Sequence, residues 1–543
     1  MKTLLKPTRI ALAVAALALP FTATANQSLN TAGYAGTIGG VVNEGSIHSS
    51  SFNPAGNNLL LKKEEKMRFG YLSNLGGYVE IGESDDLDKK VDAMVDDLDA
   101  IDDFNVGGKA YLVHRYGNLG NSEADYYEAI AKEFNTTIIP DLEKGGQFRA
   151  GGQLQVPLTP FLLRSSSARG TFSLNASAST QIKSAFLGDK FGVRTTFKDA
   201  SGNSLGAIDI DMATAAAAYN DIKAKVTSGI NNTGDIDDIK TILQGSGILT
   251  PQNIAAIEEI KINVNDIVDG DTDYSFTTNS GLDVKAAVVA HFGLGYGTNL
   301  TEWLELNDEH GQLETGVRLN LYNVEAGRKF VSLQAEANSN DDSSASDNLT
   351  EDFLDNTETT MGVGLDLGFL WHADNYQAGI TFYNLNEPSF DYPDLSKVLD
   401  ANDSYDSETL DALYGLQTAG KTKVADSVTL TRHAVIEGAY FSKSRNWMLQ
   451  GSYTLGTATN FVGDEFQNLH LSAGYYPKTA WIPGLRAGYS QNMKGSELSK
   501  IHAGATFYGI MHLDLAVSPD TSSFDDSDIP RYVAFSLGFE EKF

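Results

Sequence analysis

Apolar side chains alternate with small or polar ones, residue by residue, through much of the second half of this chain. In TMGVGLDLGFLW (360–371), Met361, Val363 and Leu365 share one face of an extended segment, while Asp366 and several glycines lie on the other. The same period recurs in 376–384, 427–441, 447–456, 466–476, 484–491, 501–508, 511–518 and RYVAFSLGFEEKF (531–543). A two-residue period is typical of strands, so these segments predict a large β structure.

The connections between these strands alternate between two kinds. Segments 372–375, 442–446, 477–483 and 509–510 are short, whereas 385–426, 457–465, 492–499 and 519–530 are polar and mostly longer. A soluble sandwich has no reason to keep this parity, but a membrane barrel has short turns on one rim and longer loops on the other. The sequence therefore predicts a transmembrane antiparallel β-barrel of about 14 strands (12–16), with its apolar face toward lipid.

Aromatic residues at strand ends agree with a membrane setting. Trp371, Trp447 and Trp481 lie at or in the short connections, which predicts a single interfacial girdle. The last strand places large apolar side chains on one face and ends on phenylalanine. We expect the outer-membrane assembly machinery to read this ending as its signal, carried by Phe535, Phe539 and Phe543.

Residues 1–25 have the organisation of a secretory signal peptide. A basic start is followed by an apolar run from Ile10 to Pro20 and by the small residues Ala23-Thr24-Ala25. The apolar run is too short to span a bilayer as a helix. We expect an exported protein of the outer membrane, with an N-terminal plug or lumenal segment (26–66) followed by the barrel (67–543).

Composition excludes several functions. The chain contains no cysteine, which excludes thiol redox chemistry and thiolate metal sites. It carries 71 acidic against 40 basic residues, for a net charge of −31. Nucleic acid is not an expected partner, because phosphate recognition needs clustered lysine and arginine.

The first half of the chain is less regular than the second. Candidate strands lie near 67–73, 107–114, 147–156, 170–181, 184–196, 283–297 and 312–324. Apolar residues recur at helical spacing near 84–104, and a second helical region is predicted near 212–264. We expect both to be amphipathic insertions packed on the barrel rim or on each other. The predicted fold class is thus all-β with helical insertions.

A glycine-rich segment near the N-terminus, AGTIGGVVNEGSIHSSSFNPAGNNLLL, has Phe52, Asn53, Pro54, Ala55 and Gly56 at its centre. Proline is disfavoured within central strands, so this segment is expected against the barrel rather than in its wall. The segment resembles the N-terminal signature of FadL-type outer-membrane transporters and, more closely, of TraF-type conjugal transfer proteins. GVGLDLGFLWHADNYQAGITFYNLNEPSFDYP (362–393) is similar to a segment of the TraF-type proteins.

The resemblance implies a 14-stranded barrel whose N-terminal segment forms a plug. For the TraF-type family it implies a non-catalytic envelope or pore-like role in conjugal transfer, with the conjugation apparatus as a partner. For the FadL-type family it implies passive transport of hydrophobic compounds. The thioredoxin-like family that is also called TraF is not resembled, because this chain has no cysteine.

Polar residues on the predicted inner face offer a few candidates for chemistry. Arg318 and Asp366 lie on neighbouring candidate strands and are expected to form a lumenal ion pair. His470, His502 and His512 fall on polar faces and could converge on a metal, although lumenal polar residues without a ligand are the expected interpretation. A His470–Ser472 pair is the basis of a third hypothesis, a barrel enzyme. No cofactor or metal is expected.

Overall fold

The computed structural model describes residues 37–541 except for short gaps. The gaps are 38, 44–45, 62–63, 84–86, 122–124, 200, 202–203, 229, 231, 247–250, 263–266, 306–309, 339–355, 480 and 525–526. The predicted signal peptide (1–25), residues 26–36 and Phe543 lie outside the described residues.

The described strands number 24 and are labelled in chain order. They are β1 (Met67–Ile81), β2 (Phe148–Gln155), β3 (Phe161–Ser165), β4 (Gly170–Leu187), β5 (Gly192–Asp199), β6 (Ser204–Asp211), β7 (Ile267–Thr277), β8 (Gly281–Asn299), β9 (Gln312–Ser332), β10 (Thr357–His372), β11 (Tyr376–Tyr383), β12 (Ser389–Asp391), β13 (Ser427–Thr429), β14 (His433–Phe441), β15 (Trp447–Leu455), β16 (Ala458–Thr459), β17 (Glu465–Phe466), β18 (Asn468–Tyr475), β19 (Gly484–Asn492), β20 (Ser499–Phe507), β21 (Met511–Val517), β22 (Thr521–Phe524), β23 (Ser527–Pro530) and β24 (Tyr532–Glu541).

The helices lie mostly between barrel strands. They are α1 (Leu87–Asp102), α2 (Lys109–Tyr116), α3 (Tyr127–Glu133), α4 (Ile139–Gly145), α5 (Met212–Thr227), α6 (Thr233–Gly245), α7 (Pro251–Ile262), α8 (Leu300–Trp303), α9 (Leu333–Asn338), α10 (Leu395–Val398) and α11 (Ser404–Thr418). Two 3-10 helices (Ile47–Ser51 and Pro54–Asn58) precede β1, and two π-helical turns (Phe104–Gly108 and Phe134–Ile138) adjoin α2 and α4. Among the described residues, no helix is long and apolar enough to cross a membrane.

The large sheet closes into a 14-strand antiparallel barrel, as the sequence predicts. Around the barrel, each wall strand pairs with the next in this order: β1, then β2 and β3 in one position, then β4, β8, β9, β10, β11, β14, β15, β18, β19, β20, β21 and β24. The ring closes where β1 pairs with β24, with Val79 opposite Val533. Closure leaves no open edge of backbone donors and acceptors within the bilayer.

One position of the wall is shared by two short strands. β2 pairs with the second half of β1 and β3 with its first half, and both pair with β4. The interruption at 156–160 contains Pro157 and Pro160, which have no N–H to donate to a ladder. Other backbone groups bridge the interruption: Gly70 N–H donates to the carbonyl of Pro160 (3.0 Å), and Leu158 N–H donates to Tyr71 (3.3 Å).

Short and long connections lie on opposite rims of the barrel. The short rim joins β3 to β4, β8 to β9, β10 to β11, β14 to β15, β18 to β19 and β20 to β21. The long rim joins β1 to β2, β4 to β8, β9 to β10, β11 to β14, β15 to β18, β19 to β20 and β21 to β24. The parity seen in the sequence holds for most of the barrel; the exceptions are the β8–β9 connection (300–311), which is long for its rim, and the β19–β20 connection (493–498), which is short for its rim. Both helical insertions belong to the long rim.

The wall is apolar outside and polar inside. In β9, the side chains of Val317, Leu319 and Leu321 are 40–47% exposed on the outer face, whereas Arg318 and Asn320 are buried on the inner face. A continuous outer band of this kind needs an apolar solvent, because water-exposed apolar patches seldom exceed a few hundred Å². The outer surface therefore contacts lipid.

The two helical insertions fold into one domain, here called the cap. Residues of α1–α4 share a hydrophobic core with residues of α5–α7 and of the three-stranded sheet β6-β5-β7. Phe186 and Leu333, at the long-rim ends of β4 and β9, join the same core and fix the cap to the barrel. The predicted strand near 107–114 is wrong, because Lys109–Tyr116 is the helix α2, with Leu112 buried in this core.

Two further connections of the long rim fold over the barrel mouth. Phe390, in the β11–β14 connection, and Phe461, in the β15–β18 connection, pack on Tyr322 of the wall. Ring centroids are 5.9 Å apart for Tyr322–Phe390 and 5.6 Å for Tyr322–Phe461. All three side chains are almost fully buried, so these connections cover part of the lumen at the long rim.

The placement of long and short connections on opposite rims predicts which engineered cysteines can be labelled on intact cells. A cysteine replacing the exposed Asn402 on the long rim is expected to react with an impermeant maleimide, because long connections of such barrels face the exterior. A cysteine replacing the exposed Asp374 on the short rim is expected to react only after the cells are permeabilised. The native chain has no cysteine, so the background is clean. Equal labelling of both sites on intact cells would contradict this topology.

A buried acidic side chain makes the stability of the cap depend on pH. Tyr116 Oη lies 2.7 Å from Asp97 Oδ2 and 2.8 Å from Glu133 Oε2, and Arg115 bridges both carboxyl groups. The two carboxyl groups therefore lie close together around one phenol and one guanidinium group. Burial raises the pKa of Asp97 to about 6, which favours the protonated acid on this carboxyl group.

The cap is therefore expected to be more stable at pH 5 than at pH 7.5. Since the folded-state pKa of Asp97 is raised, stability increases as pH falls from above 6 toward 4, by about 1–2 kcal/mol. The measurement is thermal loss of the helical circular-dichroism signal at the two pH values. Asp97→Asn should flatten the pH dependence, while Asp103→Asn, an exposed control in the same region, should leave it unchanged.

Candidate functional site: the lumen and the N-terminal segment

The described part of the chain before β1, residues 37–61, lies inside the barrel and is here called the N-terminal segment. Two short 3-10 helices shape it, and each begins at a capping residue. Ser46 Oγ accepts from His48 N–H, and Asn53 Oδ1 accepts from Ala55 N–H (3.0 Å). Pro54 occupies the first position of the second helix, where its missing N–H costs no hydrogen bond.

Asn53 is fully buried and connects the segment to two barrel strands. Its Nδ2 donates to Glu437 Oε1 of β14 (2.7 Å) and to the carbonyl of Phe369 in β10 (3.2 Å). Glu437 Oε2 accepts a second bond from the backbone N–H of Val42 (2.8 Å). One carboxylate therefore holds two separate parts of the segment. Glu437 is a lone acidic residue on a strand's inner face, and no pattern in the sequence marks it.

Three glycines of the barrel wall leave room for the backbone of the N-terminal segment. Gly297, Gly316 and Gly368 are register partners across β8, β9 and β10, and we call them the glycine row. A Cβ at Gly316 would lie 2.4 Å from the backbone of Pro54, and one at Gly368 would lie 2.0 Å from Asn53 Oδ1. Only glycine allows this approach without displacement. The alternating glycines are visible in the sequence, but their alignment into a row is not.

The remaining motif residues are also buried in the lumen. The carbonyl of Phe52 accepts from Tyr383 Oη (2.7 Å), and Gly56 packs against Val42. Ala55 belongs to an apolar cluster formed largely by the segment itself. The cluster comprises Val42, Ile47, Ala55, Leu60 and Leu61 with Leu162 and Leu370 of the wall. Most apolar side chains of the segment are thus buried within the barrel. Burial of each large one stabilises the folded state by about 1.5–3 kcal/mol.

Arg318 and Asp366 form the ion pair that their strand positions suggest. They are register partners, 3% and 2% exposed, with Arg318 Nη2 2.8 Å from Asp366 Oδ2. Arg318 Nη1 also donates to the carbonyls of Ser50 (3.2 Å) and Ser51 (2.7 Å) in the N-terminal segment. Loss of either partner would leave a buried charge, at a cost of about 3–5 kcal/mol. The pair is therefore part of the contact between the wall and the segment.

A second buried ion pair forms hydrogen bonds with Thr37, the first described residue. Arg486 Nη2 lies 2.9 Å from Asp514 Oδ1, and their side chains are 0% and 1% exposed. Thr37 Oγ1 donates to Asp514 (2.8 Å) and accepts from Arg486 Nε (3.0 Å). The segment thus contacts the wall from β21 around to β4, so it spans the width of the lumen.

The three predicted histidines are buried on the inner face but do not form a metal site. His470 and His502 have ring centroids 5.6 Å apart, whereas His512 bonds to Thr506 (2.9 Å). Within the described ranges, no group of three histidine, aspartate or glutamate residues could hold a metal ion. Ser472, the proposed partner of His470 in a barrel enzyme, accepts instead from Gln450 (2.8 Å).

The predicted girdle residues lie at the short rim, and one more joins them. Trp447 and Trp481 are 59% and 82% exposed, and Trp371 is half-buried at the end of β10. Trp303, which the sequence analysis left out, is 61% exposed in α8 at the same rim. In the last strand Phe535 is 55% exposed toward lipid, and Phe539 is half-buried opposite Met511.

A closed antiparallel wall, a lipid-facing outer surface and an occupied polar lumen define an outer-membrane β-barrel protein. The profile of the family described as "F plasmid transfer operon, TraF, protein" matches residues 51–453. The chain belongs to this family, and the predicted TraF-type membership is confirmed. No curated protein matches the sequence.

Several solved barrels are similar in structure. The toluene transporter TbuX of Ralstonia pickettii is 9% identical, with 94% of this chain and 98% of that chain covered and a TM-score of 0.33. The TodX monoaromatic hydrocarbon channel, in a deltaS2 mutant, is 9% identical over 92% and 94% of the two chains, with a TM-score of 0.34. The siderophore receptor PiuA of Acinetobacter baumannii is 9% identical over 73% and 56%, with a TM-score of 0.24. Similarity at this level carries no argument about function.

The glycine row predicts a specific way to displace the N-terminal segment. Gly316→Val should increase single-channel conductance in planar bilayers several-fold, because the added side chain occupies the position of Pro54. Gly438→Val is the matched control: this glycine shares the outer face of β14 with Ile436 and Tyr440, and an added Cβ would meet only a carbonyl at 3.7 Å. Both variants should remain heat-modifiable on gels. Unchanged conductance of folded Gly316→Val would contradict the role of the row.

Proposed function

We propose that this protein is a non-catalytic, self-plugged outer-membrane barrel that acts in conjugal transfer through its long rim. The observation that carries the proposal is the occupied lumen. The N-terminal segment is held there by Glu437, by the Arg318–Asp366 pair and by the glycine row. A barrel closed in this way presents its surface, rather than an open channel, to its partners.

The family description supports the conjugal role, since it refers to the transfer operon of the F plasmid. The cap supports a contact role. It is a folded domain with its own core at the rim where external loops are expected. We propose the conjugation apparatus as its partner and the outer-membrane assembly machinery as the reader of the last strand.

Passive transport of hydrophobic compounds is the second hypothesis, and the polarity of the lumen counts against it. The inner face around the N-terminal segment carries buried ion pairs and amides, such as Arg318–Asp366, Arg486–Asp514 and Asn320. Pockets for hydrophobic ligands are lined mostly by apolar and aromatic side chains with few polar groups. The largest apolar surfaces of the segment already pack against its own barrel.

A mating assay tests the proposal. Deletion of the gene should lower plasmid transfer at least several-fold, and the full chain should restore it. A capless variant, with 84–145 and 190–278 each replaced by a short glycine-serine turn, should reach the outer membrane without restoring transfer. The barrel of this variant keeps the 14 wall strands.

Two results would contradict the proposal. Transfer that is unchanged by gene deletion would exclude the conjugal role, and full complementation by the capless variant would exclude the cap as the contact surface. Uptake of a radiolabelled long-chain or aromatic hydrocarbon is measured in the same strains. Reduced uptake with normal transfer would favour the transport hypothesis instead.

A further inference from the structure

A cavity of about 480 Å³ opens at the long rim, between the inner faces of β4 and β8 and the end of the β11–β14 connection. Its polar lining consists of Lys183, Asp283, Lys285, Gln417, Lys421, Thr422, Lys423 and Asp426. Four lysines and two aspartates therefore meet in a chain with a net charge of −31. The sign of the local charge is opposite to that of the whole protein.

Each aspartate is paired with one cation: Asp283 with Arg328, which lies outside the lining, and Asp426 with Lys285, which belongs to it. Asp283 is held by Arg328, whose Nε lies 2.8 Å and Nη2 3.2 Å from its two carboxylate oxygens. The Arg328 side chain is 0% exposed and does not line the cavity. Asp426 accepts a hydrogen bond from Lys285. Neither carboxylate therefore cancels the charge of the remaining lysines.

The other three lysines keep positive charge at the cavity. Lys183 and Arg149 each lie 2.9 Å from Asp464. Arg149 and Lys500 also share Glu80, at 3.0 and 3.6 Å, so three cations in this group share two carboxylates. Lys421 pairs with Glu143 at 2.8 Å, but both side chains are about 40% exposed and water screens the pair. Lys423 is exposed, and within the described ranges the structure shows no ion pair for it.

Buried contacts hold the lysine-bearing turn in place. Arg328 Nη1 donates to the carbonyl of Lys423 (2.6 Å), and Nη2 donates to Thr422 Oγ1 (2.7 Å). Val424 packs in an apolar cluster with Phe330 and Leu416. Lys421 and Lys423 therefore project from a fixed backbone, which lowers the entropy cost of binding a ligand between them.

We propose that this cavity binds a hydrophilic anion with two or more negative charges on phosphoryl or carboxyl groups. Its volume suits a small molecule, and lysine ammonium groups act as point charges for such groups. The only apolar side chains in its lining are Ala185 and Leu187, so the site does not suit a hydrocarbon. This site is separate from the N-terminal segment and does not depend on the conjugal role.

Isothermal titration of the full-length protein in detergent tests the site, with inorganic pyrophosphate and citrate as probes. Wild-type protein should bind at least one of them, more weakly as ionic strength rises. Lys421→Gln with Lys423→Gln should weaken binding at least about tenfold, because two charge-assisted contacts are lost. Lys443→Gln with Lys478→Gln removes the same charge from exposed positions on the short rim and should leave binding unchanged.

The two probes distinguish the chemistry of the ligand. Binding of pyrophosphate alone would show that the ligand carries phosphoryl groups, and binding of citrate alone would show that it carries carboxyl groups. Binding of both would show that the site selects for negative charge rather than for one chemical group. A heat-dependent gel shift confirms that each variant is folded before titration. Failure of the wild-type protein to bind either anion, or equal weakening by the two lysine pairs, would overturn the proposal.

Discussion

The pairing of β1 with β24 is the contact on which the other features of this protein depend. In lipid, each unpaired backbone N–H or C=O costs several kcal/mol, so a sheet is stable there only when it closes on itself. Closure turns one face of every strand toward lipid and the other toward the lumen. It also sends every connection to one of two rims, which lets two large insertions fold together as one cap.

The inner face carries many polar groups, and the N-terminal segment supplies hydrogen-bond partners to several of them. The N-terminal segment does this by supplying backbone carbonyls to Arg318, an amide to Glu437 and a hydroxyl to Asp514. Its own apolar side chains pack together, and glycines in the wall make room for its backbone. The wall and the segment are therefore complementary in hydrogen bonding as well as in shape.

With the lumen filled, the distinctive chemistry lies at the long rim. The cap and the folded-in connections form a surface there, and a lysine-lined cavity lies between β4, β8 and the β11–β14 connection of this acidic protein. The buried Arg328–Asp283 pair links the wall strands β8 and β9 to the β11–β14 connection. Contact with partners and binding of a small anion are both functions that such a rim allows while the barrel stays closed.

The sequence by itself determined the barrel and the parity of most of its connections, because a two-residue period and connection lengths are local properties of the chain. The family was indicated separately, by the short motifs at 52–56 and 362–393. The motif at Phe52–Gly56 and the residues Arg318 and Asp366 were visible in the sequence, and the last two are register partners on adjacent strands. The sequence pattern misassigned 107–114, since a short stretch with only a few apolar residues (Ala110–Val113) suits a strand or a helix equally until the cap core buries Leu112. Only the tertiary structure aligned Gly297, Gly316 and Gly368, brought Glu437 to Asn53 and gathered lysines from β4, β8 and a distant connection. These contacts depend on strand register and on long-range closure, which no local pattern encodes.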